Sequence, residues 1–434
     1  MRISFLSFIL LVFSHAVFSA AKIEHWQTKQ GSAVFYVETK GLPMADIRVV
    51  FDAGSARDGY QFGISALTSA LLDTGAGDLN ADEIAQHFEN VGAKFGTGIS
   101  RDMAWLSLRS LTDEKLLNKA LLTMQTIISK PKFNKADFQR EKNRTLAGLK
   151  HREESPGALA NMAFFNALYK DHPYAHPSSG IIETVSGFTA DNLKEFYSQY
   201  YVATNAMIVI VGDIRKPHAM NIAESLVANL ALGEKPNAVP EVNFSKEGFN
   251  KHIAFPSAQT HVLAGVIGKH RKDSDYFDLY VGNHILGGSG LVSQLFSEVR
   301  EKRGLAYSAY SYFSPMLRKG PFTMGLQTRN DQTEEAITVM KNTLKDFVNK
   351  GPTDKALLAA KKNITGGFAM RFDTNSKLTS YVSMIGFYQL PINYLDKFQE
   401  RVEAVTVVSI KDAFKRRVVP EFIHTITVGG NANR

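Results

Sequence analysis

Apolar and polar positions alternate along this chain with two periods, and both periods occur twice. At 113–130 (DEKLLNKALLTMQTIISK) the apolar residues Leu117, Ala120, Leu121, Met124, Ile127 and Ile128 recur every three or four positions. That spacing predicts an amphipathic helix. At 333–350 (TEEAITVMKNTLKDFVNK) Ile337, Met340, Leu344, Phe347 and Val348 repeat the pattern. Each run is followed by a break at Pro131 or Pro352 and then by a basic helical stretch, 139–150 or 355–365. Glu183-Thr-Val-Ser reappears as Glu403-Ala-Val-Thr. Both copies lead through a helix into a β-rich run ending in glycine, 206–212 (AMIVIVG) and 423–429 (IHTITVG). Further strands are predicted at 33–38, 47–52, 260–267 and 321–327.

One unit is therefore written twice, offset by roughly 216 to 220 positions. Residues 22–232 form the first copy and 249–434 the second. Between them, 233–248 holds Pro236 and Pro240 and has no periodicity, as expected of a linker. The predicted fold class is α+β: two homologous α/β sandwich-like domains forming a clamshell around a cleft, a common place for ligands.

Residues 1–21 stand apart. Arg2 is the one charge, 3–18 is nearly all apolar, and Ser19, Ala20 and Ala21 follow. This reads as a secretory signal peptide, short for a membrane span of roughly 20 apolar residues, with an uncleaved N-terminal anchor as the alternative. A periplasmic or secreted location is expected. The 434 residues contain no cysteine, which excludes disulfides, thiol nucleophiles and thiolate metal sites. Net charge is +8, spread along the chain with no basic arm or zinc-finger spacing, so nucleic acid is not an expected partner.

The candidate chemistry lies at 287–313, GGSGLVSQLFSEVREKRGLAYSAYSYF. A glycine-rich turn enters a helix at 291–300, whose apolar face is Leu291, Leu295, Phe296 and Val299, and an aromatic strand follows. Gly287, Gly288, Ser289 and Gly290 lack the lysine and hydroxyl of a phosphate loop. They read either as a plain turn or as a place where an extended peptide approaches the backbone. Arg300 at the helix end is, on its residue type alone, a cation favoured by the helix dipole. Tyr307 reads as a strand residue packing on its neighbours. The matching stretch of the first copy is taken as 63–75, GISALTSALLDTG, where Asp73 is the one charged side chain. Among the 12 histidines, His172 and His176 are four apart, but Pro173 and Pro177 follow them, so both read as loop histidines.

The run GGSGLVSQLFSEVREKRGLAY resembles the second-domain signature of the pitrilysin-type metallopeptidases, the inverzincins that include processing peptidases and insulin-degrading relatives. The resemblance extends over the mature chain, through His172-Pro173-Tyr174, ETVSGFTADNLKEFY and the two-domain repeat. It implies that Arg300 and Tyr307 bind a substrate carbonyl and its oxyanion, opposite a zinc ion. The family's zinc motif is H-x-x-E-H, two ligands and a general base on one helical face. Its positions fall here on Ala66, Ser69 and Ala70, and none is a ligand or base. Glu141 lies near the place of a further glutamate ligand.

The resemblance thus implies a subunit with no metal of its own, inactive alone. Zinc would reside in a homologous partner subunit bearing the H-x-x-E-H motif, and the substrate would be a peptide or unfolded protein. Gly287, Gly288, Ser289 and Gly290 would line the peptide path. The alternative is a non-catalytic structural or peptide-binding clamshell of the same superfamily, with a homodimer possible when the chain is alone.

Overall fold

A computed structural model describes residues 22–243 and 245–430. The expected signal peptide lies outside the described residues. The strands are β1 (Glu24–Gln27), β2 (Ala33–Glu38), β3 (Met44–Phe51), β4 (Gly75–Ala76), β5 (Leu79–Asn80), β6 (Lys94–Ile99), β7 (Ala104–Leu111), β8 (Ala206–Gly212), β9 (Phe249–Ile253), β10 (Gln259–Ile267), β11 (Ala306–Phe313), β12 (Pro321–Arg329) and β13 (His424–Val428). One sheet runs β1-β2-β8-β3-β7-β6 and a second runs β11-β12-β10-β13-β9, with β4 and β5 paired separately.

Read from its other edge, the second sheet is β9-β13-β10-β12-β11. Without β1, the first is β2-β8-β3-β7-β6. The strand directions agree as well: β2 with β8 and β9 with β13 are parallel, and every other neighbouring pair in these two series is antiparallel. The internal repeat is a repeat of the whole topology, giving two α+β domains. No helix or strand occurs among the described residues between Ala231 and Gly248.

The two periodic helices are Glu114–Ser129 and Thr333–Lys350. The Asp113 carboxylate caps the first by accepting from the amides of Lys115 and Leu116. Their apolar stripes cover one face of each sheet. Met124 and Ile127 pack with Ile47 and Leu106, and Met340 and Leu344 pack with Val262 and Met324.

The opposite faces are covered by exchange. Helix Pro156–Tyr169 belongs to the first half of the chain but lies on β10 and β13. There Phe164 and Leu168 join Leu263, Ile426 and Val428. Helix Asn375–Phe387 belongs to the second half but lies on β3 and β8. There Leu378, Val382 and Ile385 meet Val50, Met207 and Val209. Gly386 permits the approach, since a Cβ would stand 2.6 Å from both the Met207 sulfur and the Phe35 ring. Each such side chain removed from water contributes about 1.5–3 kcal/mol.

A buried carboxylate ties the halves at the tips of their hairpins. Asp102, in the turn between β6 and β7, is 2 % exposed. It accepts hydrogen bonds from the hydroxyls of Tyr174 and Tyr388 and from the Leu317 amide in the turn between β11 and β12. Burial, then the nearby Asp102 charge, pushes both phenol groups well above their ordinary range, so they remain donors. Arg101 beside it donates to the Tyr174 carbonyl and lies 3.8 Å from the Phe165 ring centroid. Asp102→Ala leaves two hydroxyls and an amide unpaired. It is expected to cost at least about 3 kcal/mol in denaturant unfolding, against about 1–2 kcal/mol for Tyr388→Phe. Small, equal losses would mean that the cluster does not hold the halves together.

Candidate functional site

The site begins where helix Tyr276–Asn283 runs into a wider π-type turn, His284–Gly288. Asn283 fastens this turn to β11: its amide donates to the Ser311 carbonyl at 3.0 Å, and the Ser311 hydroxyl donates back at 2.7 Å. Gly287 sits against that strand, where a Cβ would meet the Ser311 nitrogen at 2.4 Å. Gly290 differs. It has φ +63° with open space around it, so its need is for left-handed backbone.

The expected continuous helix over 291–300 does not form. A 3-10 turn, Gly290–Val292, is followed by Ser293 in extended conformation. The Ser293 hydroxyl caps a new start at Gln294 by accepting from the Phe296 amide. One α-helical turn, Gln294–Phe296, then passes into a π-type turn, Ser297–Glu301. Leu295, Phe296 and Val299 are buried as their spacing predicts. Leu291 is not: it is 67 % exposed and Val292 84 %. The physical reason is the cap, which breaks the helical register ahead of Gln294 and turns both side chains outward.

Arg300 and Tyr307 are brought together. The guanidinium carbon of Arg300 lies 4.3 Å from the Tyr307 ring centroid and 5.0 Å from that of Phe296. An arginine between two aromatic faces is held by the ring quadrupoles. Glu298 is occupied elsewhere, by Lys302 and Arg303. These two partners hold its carboxyl below the usual range. Among the described residues, Arg300 therefore has no ion-pair partner. The strand contributes a β-bulge: Ala306 faces Thr328 but Ala309 faces Leu326, so one residue is extra. Bulges re-aim side chains, and Tyr307 in this one is 81 % exposed. The result is a guanidinium stacked on a phenol ring, and among the described residues neither group donates a hydrogen bond.

The first domain answers this pair with two phenyl rings. Gly92 (φ +63°) and Gly304 (φ +64°) stand two residues before β6 and β11 respectively. Counted from these glycines, Phe88 and Phe95 occupy the places of Arg300 and Tyr307. Their rings stack at 4.8 Å and 2°. This corrects the choice of 63–75 as the matching stretch. Helix Ile64–Leu71 precedes that region and corresponds in chain order to helix Tyr276–Asn283.

Ala66, Ser69 and Ala70 lie on helix Ile64–Leu71, with Ser69 buried and the two alanines half-buried. Methyl groups and one hydroxyl do not fit a zinc ion. Helix Lys135–Glu153 packs on it, but its buried Glu141 pairs with Arg144 at 2.6 Å. Among the described residues, no three His, Asp or Glu side chains could hold a metal ion. His172 contacts the Pro240 carbonyl at 3.0 Å, and His176 contacts the Ser55 carbonyl at 3.0 Å and Asp58 at 3.2 Å. Both are satisfied loop residues.

Spacing alone did not reveal the bulge, the cap at Ser293 or the role of Phe296, because each depends on neighbours from other elements. The two glycine roles separate experimentally. Gly287→Val is expected to lose about 1–3 kcal/mol through overpacking against Ser311. Gly290→Ala should lose only about 1–2 kcal/mol from its left-handed backbone, with Asn there partly restoring stability. Tolerance of valine at Gly287, read by denaturant unfolding, would contradict the packing role.

Comparison with known proteins places the chain in a family. Residues 33–180 match the family model described as Insulinase (Peptidase family M16), and 187–364 match the Peptidase M16 inactive domain. A crystal structure of a peptidase M16 inactive domain from Pseudomonas fluorescens is 36% identical, with TM-score 0.91 over 94% of this chain and 98% of that one. A non-peptidase homolog, YmxG, from Helicobacter pylori is 25% identical over 402 residues, 91% of each chain. An uncharacterized zinc protease, also YmxG, from Bacillus subtilis is 27% identical over 318 residues, 73% of this chain and 76% of the relative. A two-domain α+β chain with these matches, and with no metal ligand at the three motif positions of its first domain, belongs to peptidase family M16, the insulinase family.

Proposed function

We propose that this chain is the zinc-free subunit of a heteromeric zinc peptidase, and that a homologous partner supplies the metal and the general base. The signal-like residues 1–21 support a periplasmic setting for the pair. The observation that carries the reading is the Arg300–Tyr307 pair, a cation and a hydroxyl held in place by a bulge, a ring sandwich and a strand-locked turn, with no partner of their own. When a peptide carbonyl is attacked, negative charge develops on its oxygen. Arg300 and Tyr307 would donate hydrogen bonds to that oxygen, and preorganised donors of this kind are often the largest single contribution to acyl-transfer catalysis. Gly288 and Gly290 are exposed and Ser289 is half-buried, which leaves room for an extended peptide against the backbone, whereas Gly287 is buried against β11 and does not line that path.

The Helicobacter relative's name, a non-peptidase homolog, favours a second reading in which the chain is a peptide-binding or structural clamshell. Co-purification separates the two. A secreted partner with the H-x-x-E-H motif, and hydrolysis only in the complex, supports the first reading. In that complex Arg300→Ala is expected to lower kcat by about 10²–10³, as loss of one oxyanion donor does, while assembly survives. Tyr307→Phe should lower kcat in the same direction. Full activity of the assembled Arg300→Ala enzyme would remove the proposed role.

A further inference from the structure

The helix exchange leaves a margin in the first sheet where helix Asn375–Phe387 ends and β6 and β7 begin. Helix Asn375–Phe387 covers β3 and β8 but not β7 and β6. At this margin a cavity of about 230 Å³ is lined by Asp46, Arg48, Lys94, Gly96, Arg109 and Ser376, among others. Three cations share it with one carboxylate. That carboxylate is committed, since Arg109 binds both oxygens of Asp46, at 3.1 and 3.2 Å.

Arg48 is left over. It faces Ser107 across the ladder, and its guanidinium carbon lies 5.7 Å from the Trp105 ring centroid. Its Nε is buried with no hydrogen-bond partner. Among the described residues, no carboxylate lies within ion-pair distance of Arg48 or of Lys94. Burial holds the Arg48 guanidinium below its usual range, with Asp46 opposing the shift. A half-buried, unpaired arginine is unfavourable unless something anionic completes it.

Gly96 contributes backbone to the cavity lining. Gly96 and Gly98 lie on β6, the edge strand. A Cβ at Gly98 would stand 2.5 Å from the Trp105 ring, so the indole lies over that residue, next to Arg48 and outside the cavity lining. On the matching strands of the second sheet the cation is Arg329, which is paired with Asp331 at 2.7 Å. There Tyr310 and Tyr312 stack at 5.9 Å. The cationic cavity therefore belongs to the first domain and is not a general product of the fold.

We propose that this cavity is a recognition subsite for a carboxylate of a bound polypeptide, with Arg48 as its fork, Lys94 as a flanking charge and Trp105 as the ring that Arg48 rests on. The size admits one side chain or one chain end. An Arg guanidinium matches a carboxylate in two parallel hydrogen bonds. That the ligand is a polypeptide rests on the peptidase-subunit reading. The carboxylate site itself rests on the cavity, and its test needs neither partner nor hydrolysis.

The test is peptide binding to the full chain, read by anisotropy of labelled, unstructured decapeptides and by Trp105 emission, with Trp26→Phe to isolate the signal. A peptide with central glutamate and an amidated end is compared with its glutamine counterpart, and each is repeated with a free C-terminus. The expected result is at least about tenfold tighter binding for whichever peptide presents the carboxylate, weakening with salt. Preference for central glutamate identifies a side-chain carboxylate as the source, and preference for the free end identifies the C-terminus. Both support the subsite. Arg48→Met, which keeps the apolar stem, should abolish the preference, and Lys94→Gln should reduce it about two- to fivefold, as expected for an exposed charge. Arg300→Ala should leave the preference intact. No preference in the wild-type chain, preference surviving Arg48→Met, or a Trp105 response to inorganic phosphate with none to any peptide would each overturn the proposal.

Discussion

Each sheet in this chain has two apolar faces, and its own half of the sequence supplies helices for only one. That constraint organises the rest. An isolated domain would expose the row Val50, Met207 and Val209, or the row Leu263, Ile426 and Val428. The chain resolves this by sending one helix from each half onto the other's sheet. The halves become interdependent, and neither is a free-standing α/β sandwich. Asp102 adds direction to this non-specific burial. Hydrophobic contact alone would tolerate sliding between the halves, whereas a carboxylate with three fixed donors tolerates little.

The two exchanged helices lie over the inner strands, β3 with β8 and β10 with β13. The outer strands beside them have diverged. In the second domain β11 carries the bulge that presents Tyr307 to Arg300. In the first, Arg48, Trp105 and Lys94 lie beside the helix. Duplication gave both domains the same backbone, and the side chains on these margins are where their chemistry parted. The Phe88–Phe95 stack is the clearest case, since two phenyl rings occupy the places where the other domain carries a cation and a phenol.

Loss of the metal positions has not disturbed the scaffold that would carry them. Helix Ile64–Leu71 keeps Ile64, Leu67 and Leu71 in the core, and the helix bearing Glu141 still packs beside it. Ala66 and Ala70 need no partners, and Glu141 is neutralised by arginine. A buried carboxylate with no cation nearby would be costly, and Arg144 at 2.6 Å compensates it.

Much of this was decided locally and could be read from the sequence. The 3.6-residue period of 113–130 and 333–350 determined two helices and the faces they bury. The duplicated order of elements determined two α+β domains. The identities of Ala66, Ser69 and Ala70 ruled out zinc ligation there whatever the fold, because no packing turns a methyl group into a ligand. Period and identity also placed Arg300 and Tyr307 on either side of one turn. Four matters were settled only in three dimensions: which sheet each helix covers, where the register breaks at Ser293, that Phe296 completes a sandwich around Arg300, and that Arg48, Lys94 and Arg109 converge from three strands. A sequence period specifies that a face will be buried, but the partner of that face is chosen by long-range packing, and a cluster drawn from separate strands leaves no spacing along the chain.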